Sequence, residues 1–156
     1  DPTADWTGHC LYLRDVRSGD LWSATYQPTC REPDEYVVTF APDRVVFRRS
    51  DHSIEAQLDI AVSPEDDTEV RRLSLTNHSV RPRELEVTSY AEVVLDNQDI
   101  DLAHPVFSRL FVETEFLPDA AALLCGRRPR RAEDIASWML HVVSIEGPVQ
   151  GVTEDE

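Results

Sequence analysis

Hydrophobic and polar residues alternate with a period of two through most of this chain. In segment 54–62, Ile54, Ala56, Leu58, Ile60 and Val62 fall on one side and Glu55, Gln57 and Asp59 on the other. Side chains of an extended strand point alternately to its two faces, so the pattern predicts an antiparallel strand with one face buried. Segment 84–95 repeats it, with Leu85, Val87, Ala91, Val93 and Leu95 set against Glu84, Glu86, Thr88 and Glu92. Its length predicts a bent strand, or two strands joined at a bulge.

Shorter runs of the same kind lie at 11–14, 21–26, 36–40, 45–48, 70–76, 109–117, 121–125 and 138–145. Turn formers separate many of them: Ser18-Gly19-Asp20, Ala41-Pro42-Asp43, Ser63-Pro64-Glu65-Asp66-Asp67, Asn77-His78-Ser79 and Leu117-Pro118-Asp119. About ten short strands with frequent turns predict an all-β fold, an antiparallel β-sandwich. Helical signal is weak: 132–138 could form a turn or two, and 97–105 reads as a long acidic loop. Residues 1–148 are expected to make one sandwich domain, and the polar, acidic stretch 149–156 a tail or linker.

At 156 residues the chain can bury roughly 68–70% of its unfolded surface and needs no metal or disulfide to hold a core. Charge changes the picture more. Thirty acidic against fifteen basic residues give −15, a field that repels nucleic acid and anionic membrane surfaces. Every basic residue is Arg, which points to coding bias in a GC-rich bacterial genome. Cys10, Cys30 and Cys125 are too few and too widely spaced for a disulfide framework or a zinc site, and they suit a reducing compartment. No apolar run approaches the ~20 residues of a membrane helix, and no leader is visible. The chain opens on Asp1-Pro2 rather than Met, which is read as a piece of a larger protein.

Candidate chemistry is sparse. Glycosidic chemistry needs a raised-pKa acid and, across the bond, a second carboxylate or other nucleophile, and nothing among the many acids singles out a pair. Asp96, Asp99 and Asp101 lack the spacing and glycine of a calcium loop; they are an exposed loop or an edge that bonds sugar hydroxyls. His9, His52, His78, His104 and His141 show no metal-ligand spacing, and neither a cofactor nor a metal is expected. No nucleophile elbow or phosphate loop is present. Arg127, Arg128, Arg130 and Arg131 form the one basic cluster, able to bind an anionic partner or the protein's own acids. The aromatics Trp6, Trp22, Tyr26, Tyr36, Tyr90 and Trp138 serve either as core or as stacking platforms for sugars.

Particular strings go further. Leu11-Tyr12-Leu13-Arg14-Asp15, Ser18-Gly19-Asp20-Leu21-Trp22-Ser23 and Gln27-Pro28-Thr29 are followed by Val62-Ser63-Pro64-Glu65-Asp66-Asp67, Glu69-Val70-Arg71-Arg72-Leu73 and Thr76-Asn77. Then come Glu86-Val87-Thr88-Ser89-Tyr90-Ala91-Glu92-Val93-Val94-Leu95, His104-Pro105-Val106-Phe107-Ser108, Phe111-Val112-Glu113-Thr114-Glu115 and Arg127-Arg128-Pro129-Arg130. In this order, over about residues 8–143, they resemble the amino-terminal domain of glycoside hydrolase family 94, formerly glycosyltransferase family 36. The likeness is nearest to the cyclic β-1,2-glucan synthase type.

That resemblance implies a galactose-mutarotase-like super-sandwich, whole or partial, preceding an (α/α)6 barrel. In the family the barrel carries the general-acid aspartate, and phosphate attacks the anomeric carbon with inversion. No residue here matches that motif, so no catalytic residue is expected in this segment. The implied role is a non-catalytic domain that supports the barrel of a β-glucan-processing transferase or phosphorylase and contacts β-glucan or oligosaccharide. A homodimer interface is also implied. The alternatives are an autonomous carbohydrate-binding module and an oligomerisation domain. Asp15, Trp22, Tyr26, His104 and Arg128 are the candidate sugar-contacting residues, since each joins motif membership to ligand-capable chemistry. The implied location is the cytoplasm, or the cytoplasmic or periplasmic face of an inner-membrane parent, with no insertion by this segment.

Overall fold

The computed structural model describes residues 8–103, 105–129 and 136–147. Ten strands run through them: β1 (His9–Asp15), β2 (Leu21–Ser23), β3 (Glu35–Phe40), β4 (Val45–Asp51), β5 (Ile54–Val62), β6 (Glu69–Asn77), β7 (Leu85–Ala91), β8 (Val112–Leu117), β9 (Ala122–Arg127) and β10 (Trp138–Val142). They form three antiparallel sheets, ordered β2-β1-β7, β3-β4-β5-β6 and β10-β9-β8. The antiparallel all-β expectation therefore holds. The chain divides into two compact units, Asp1–Glu92 with the first two sheets and Val93–Glu156 with the third.

In the first unit two sheets share one core. Ile54, Ala56 and Leu58 are about 1% exposed, the buried face that the alternation in β5 predicts. Ile54 and Ala56 meet Leu13 of β1 and Trp22 of β2, with Leu73 and Leu85 packed around them. Burying each of the larger aliphatic chains is worth about 1.5–3 kcal/mol, so this cluster sets the spacing of the two sheets. Register across the larger sheet keeps the apolar residues together, as in the row Val38, Phe47, Leu58 and Leu73.

The β4–β5 connection is the tightest in the unit. Asp51 pairs with Ile54, which leaves His52 and Ser53 as a two-residue loop, both at positive φ. Two central residues of that hand match the twist of a hairpin. The loop is pinned from outside. The His52 N–H donates to Asp34 Oδ2 at 2.9 Å, its carbonyl accepts from Arg83 at 3.1 Å, and the Ser53 carbonyl accepts from the His78 N–H at 2.8 Å.

Several expectations need correction. The 21–26 run is a strand only to Ser23, and the 109–117 run only from Val112, with Arg109 closing a helix. Strand β4 runs on to Asp51 rather than ending near Arg48, because Arg49 and Asp51 are buried as an ion pair on the core side. The 84–95 pattern yields a strand only to Ala91, and Leu95 takes a left-handed backbone conformation (φ 49°) that ends any extension. The acidic segment near 97–105 is not a plain loop. It contains α1 (Gln98–Ala103), followed by α2 (Pro105–Arg109). Asn97 caps α1, its side-chain oxygen accepting from the Asp99 N–H at 3.0 Å, and Asp99 and Asp101 sit favourably in the first turn.

Most of 132–138 lies outside the described residues, and Trp138 opens β10. Stretch 149–156 also lies outside them. Among the described residues no helix is long and apolar enough to cross a membrane.

Candidate functional site

Three of the five sequence candidates fall in the first unit. Asp15 ends β1 and turns inward, 2% exposed. Its Oδ1 accepts from the backbone N–H groups of Arg17 and Ser18, each at 2.9 Å, and its Oδ2 accepts from Arg83 Nε at 2.7 Å. The Ser18 amide first, then Arg83, hold its carboxyl below the usual 3.8. This carboxylate ties the β1–β2 turn, in which Gly19 takes a positive φ of 76°, to the chain before β7.

Trp22 is wholly buried in the shared core. Tyr26 lies four residues further on, exposed, on the loop between β2 and β3. Its hydroxyl donates to Glu32 at 3.1 Å, and its own N–H donates to the hydroxyl of Tyr36 at 3.3 Å. The Glu32 carboxylate pushes the Tyr26 phenol pKa upward.

The loop carrying Tyr26 is held from beneath. Arg49 makes two bonds to Asp51, Nε–Oδ2 at 2.6 Å and Nη2–Oδ1 at 2.8 Å, and donates to the carbonyls of Thr25 at 2.8 Å and Arg31 at 3.3 Å. Ser23 and Thr29 close the loop through their hydroxyls at 2.9 Å. Arg31 reaches back to Asp20 and to His52.

Arg128 lies in the second unit, just after β9. It sits 3.5 Å from Glu113 and over the ring of Phe111, 5.9 Å from its centroid. Arg127 beside it engages Asp96 and the Val94 carbonyl. The described part of the arginine cluster thus pairs with the protein's own acids and aromatic rings. His104, like Arg130 and Arg131, lies outside the described residues.

This framework of sheets and buried ion pairs has relatives. The sequence matches the family described as Glycosyl hydrolase 94, supersandwich domain, over residues 1–155. The chain belongs to that supersandwich family. It is 38% identical over 145 residues to the cyclic beta-(1,2)-glucan synthase NdvB of Rhizobium meliloti (strain 1021), covering 92% of this chain and 5% of that protein. It is 32% identical over 104 residues to an N,N'-diacetylchitobiose phosphorylase of Vibrio furnissii, covering 62% of this chain and 13% of that protein. A solabiose phosphorylase of Paenibacillus borealis is 32% identical over 86 residues, 55% of this chain and 11% of that enzyme. The chain therefore spans only a small part of the relatives it matches.

Within this supersandwich domain the structure groups the candidates by role rather than into one constellation. Asp15 and Trp22 are interior, whereas Tyr26 and Arg128 present chemistry to solvent. The carboxyls of Asp15, Asp20 and Glu55 are shifted, and all three downward. Ser18 and Arg31 lower Asp20, and Arg48 lowers Glu55. That direction suits a permanent anion rather than a general acid, which needs a raised pKa.

The sequence reading missed the Arg49–Asp51 pair, which positions the Tyr26 loop. Its signal was present, since Arg49 and Asp51 keep the two-residue period of β4. The reading also gave Trp138 no greater weight than the other aromatics, although it is 64% exposed.

Proposed function

We propose that this supersandwich domain is a non-catalytic support for the catalytic barrel of a β-glucan-processing transferase or phosphorylase, and that it touches the glucan. The family match over residues 1–155 carries the reading. The relatives' named activities, a cyclic β-1,2-glucan synthase and several phosphorylases, supply the substrate class. The placement of the general acid in the barrel, which the family resemblance implies, supports the non-catalytic half. The exposed chemistry of Tyr26 and Arg128 supports the contact half, with Asp15 and Trp22 acting from the interior to hold the β1–β2 region in shape. His104 stays in the proposal as a motif residue. The parent would lie in the cytoplasm or on a face of the inner membrane.

The gene supplies the test. The reading frame beyond Glu156 is expected to encode an (α/α)6 barrel carrying a general-acid aspartate. A frame that closes there, or continues into an unrelated fold, overturns the reading.

One observation favours a second reading, an oligomerisation role. Strand β3 lies at the edge of its sheet with Val37 and Phe40 exposed, and unpaired apolar edges invite pairing with another chain. Light scattering that finds only monomer over a wide concentration range removes it.

A further inference from the structure

The third sheet carries an aromatic platform. Across β8, β9 and β10, Glu113 pairs with Gly126 and Gly126 with Trp138, so the three residues form one row. The next row on that face is Glu115, Leu124 and Leu140. Trp138 lies down over Gly126. A Cβ on Gly126 would collide with Cζ3 of the indole and stand 2.8 Å from Cε3. Only a residue without a side chain lets the ring settle so close to the strand. The ring covers Gly126, which is buried, while Trp138 itself stays 64% exposed. One side of the indole is therefore seated on backbone and the other is open.

Beside it runs a groove of about 340 Å³, lined by Trp138, Gly126, Leu124, Glu113, Glu115 and Arg128 among others. The side chains of Glu113 and Arg128 are 68% and 60% exposed although they lie 3.5 Å apart, and Phe111 backs the guanidinium. The groove thus joins one open aromatic face, two carboxylates that accept hydrogen bonds and two guanidinium groups, of which Arg127 is engaged by Asp96 and the Val94 carbonyl and Arg128 is the more exposed donor.

We propose that this groove binds a neutral pyranose, one ring or two of a β-linked glucan chain, stacked on Trp138. The proposal deepens the glucan-contact half of the function above and rests on it for the sugar's identity. A pyranose has an apolar C–H face that suits an indole, and a rim of hydroxyls that both donate and accept. The rim donates to Glu113 and Glu115 and accepts from Arg128.

Other occupants fit less well. A nucleotide or sugar phosphate would meet two carboxylates, and two guanidinium groups already paired with Asp96 and Glu113, in a chain of net charge −15. An apolar protein surface would bury the Glu113–Arg128 pair and the Glu115 carboxylate while offering them no hydrogen bonds, which is costly. The volume lies at the small end of ligand sites, about 300–1,000 Å³, as befits a subsite along a longer chain.

The test titrates the full chain with linear β-1,2-linked gluco-oligosaccharides, read by calorimetry and by the Trp138 indole N–H resonance. Binding is expected to move that resonance. Trp138→Ala is expected to weaken binding at least about tenfold, as removal of a stacking tryptophan does. Glu113→Gln, which leaves the platform intact, is expected to weaken it several-fold, and circular dichroism reports whether each variant folds. If the oligosaccharide binds the native chain and Trp138→Ala alike, the groove proposal is overturned while glucan contact stands. If another neutral oligosaccharide, such as a β-1,4-linked glucan, moves the Trp138 resonance and the β-1,2-linked one does not, the groove is supported and that linkage is not its ligand. If no neutral oligosaccharide binds at millimolar concentration, the groove and glucan contact by this domain both fall.

Discussion

Replacing Asp51 with alanine should cost this domain a large share of its stability. Arg49 is 0% exposed and Asp51 4%, and the two share a two-pronged ion pair at 2.6 and 2.8 Å. With the carboxylate gone, the guanidinium keeps the Thr25 and Arg31 carbonyls but loses its counter-charge. Breaking a buried pair in this way costs about 3–5 kcal/mol, against a typical total of about 5–15 kcal/mol.

The double variant Arg49→Met, Asp51→Leu separates the ion pair from simple packing. It leaves no buried charge, and its main cost is one carbonyl, that of Arg31, without a donor, about 1–3 kcal/mol when fully buried, since the Thr25 carbonyl keeps the Ser23 hydroxyl at 2.7 Å. Arg31 is only half-buried, so water can reach its neighbourhood and the cost falls toward the lower end. The double variant should therefore be the more stable of the two. Urea unfolding with linear extrapolation measures both. Hydrogen exchange at the Cys30 N–H, bonded to the Tyr26 carbonyl at 2.9 Å, should accelerate in Asp51→Ala as the loop loosens. A loss under about 1 kcal/mol for Asp51→Ala, or a double variant less stable than the single one, would refute the reasoning.

Other expectations are smaller. Asp15 has a folded pKa below 3.8, so its stabilising effect is complete above that value and disappears as pH falls through the folded pKa. Asp15→Asn should thus be most destabilising, relative to the native chain, above about pH 4. Denaturation at a series of pH values checks this, and a gap that widens on acidification contradicts it. Glu32→Gln should lower the Tyr26 phenol pKa toward 10.0, as NMR titration of labelled tyrosine would show. Cys30 is exposed, while Cys125 is buried with its thiol pKa pushed up by desolvation. A chromogenic disulfide reagent should therefore label Cys30 readily and reach Cys125 only on unfolding.

Much of the fold was legible because its core faces are simple. Ile54, Ala56 and Leu58 alternate with polar residues, and alternation survives translation into a sheet. The fold is least legible in the sequence where polar residues do interior work. Arg49 and Asp51 fall just beyond the expected end of the strand at Arg48, yet each neutralises the other on the buried face. His52 and Ser53 are not typical residues for a hairpin loop of this hand, and the bonds from Asp34, His78 and Arg83 that hold them come from distant parts of the chain.

The candidate site was legible only in part, for a related reason. Motif membership picked out Asp15 and Trp22 as strongly as Tyr26, but a motif does not say which way a side chain faces. Trp138 stood out only once Gly126 was seen beneath it, and that pairing depends on the register of β9 and β10 rather than on spacing along the chain.

The central claim is that this domain supports glucan chemistry without performing it. The most direct measurement incubates the purified chain with β-1,2- or β-1,4-glucan and phosphate and follows release of glucose 1-phosphate. Release no higher than in the protein-free control is the expected result. Saturable release that tracks the folded chain through purification and is lost on its denaturation would contradict it.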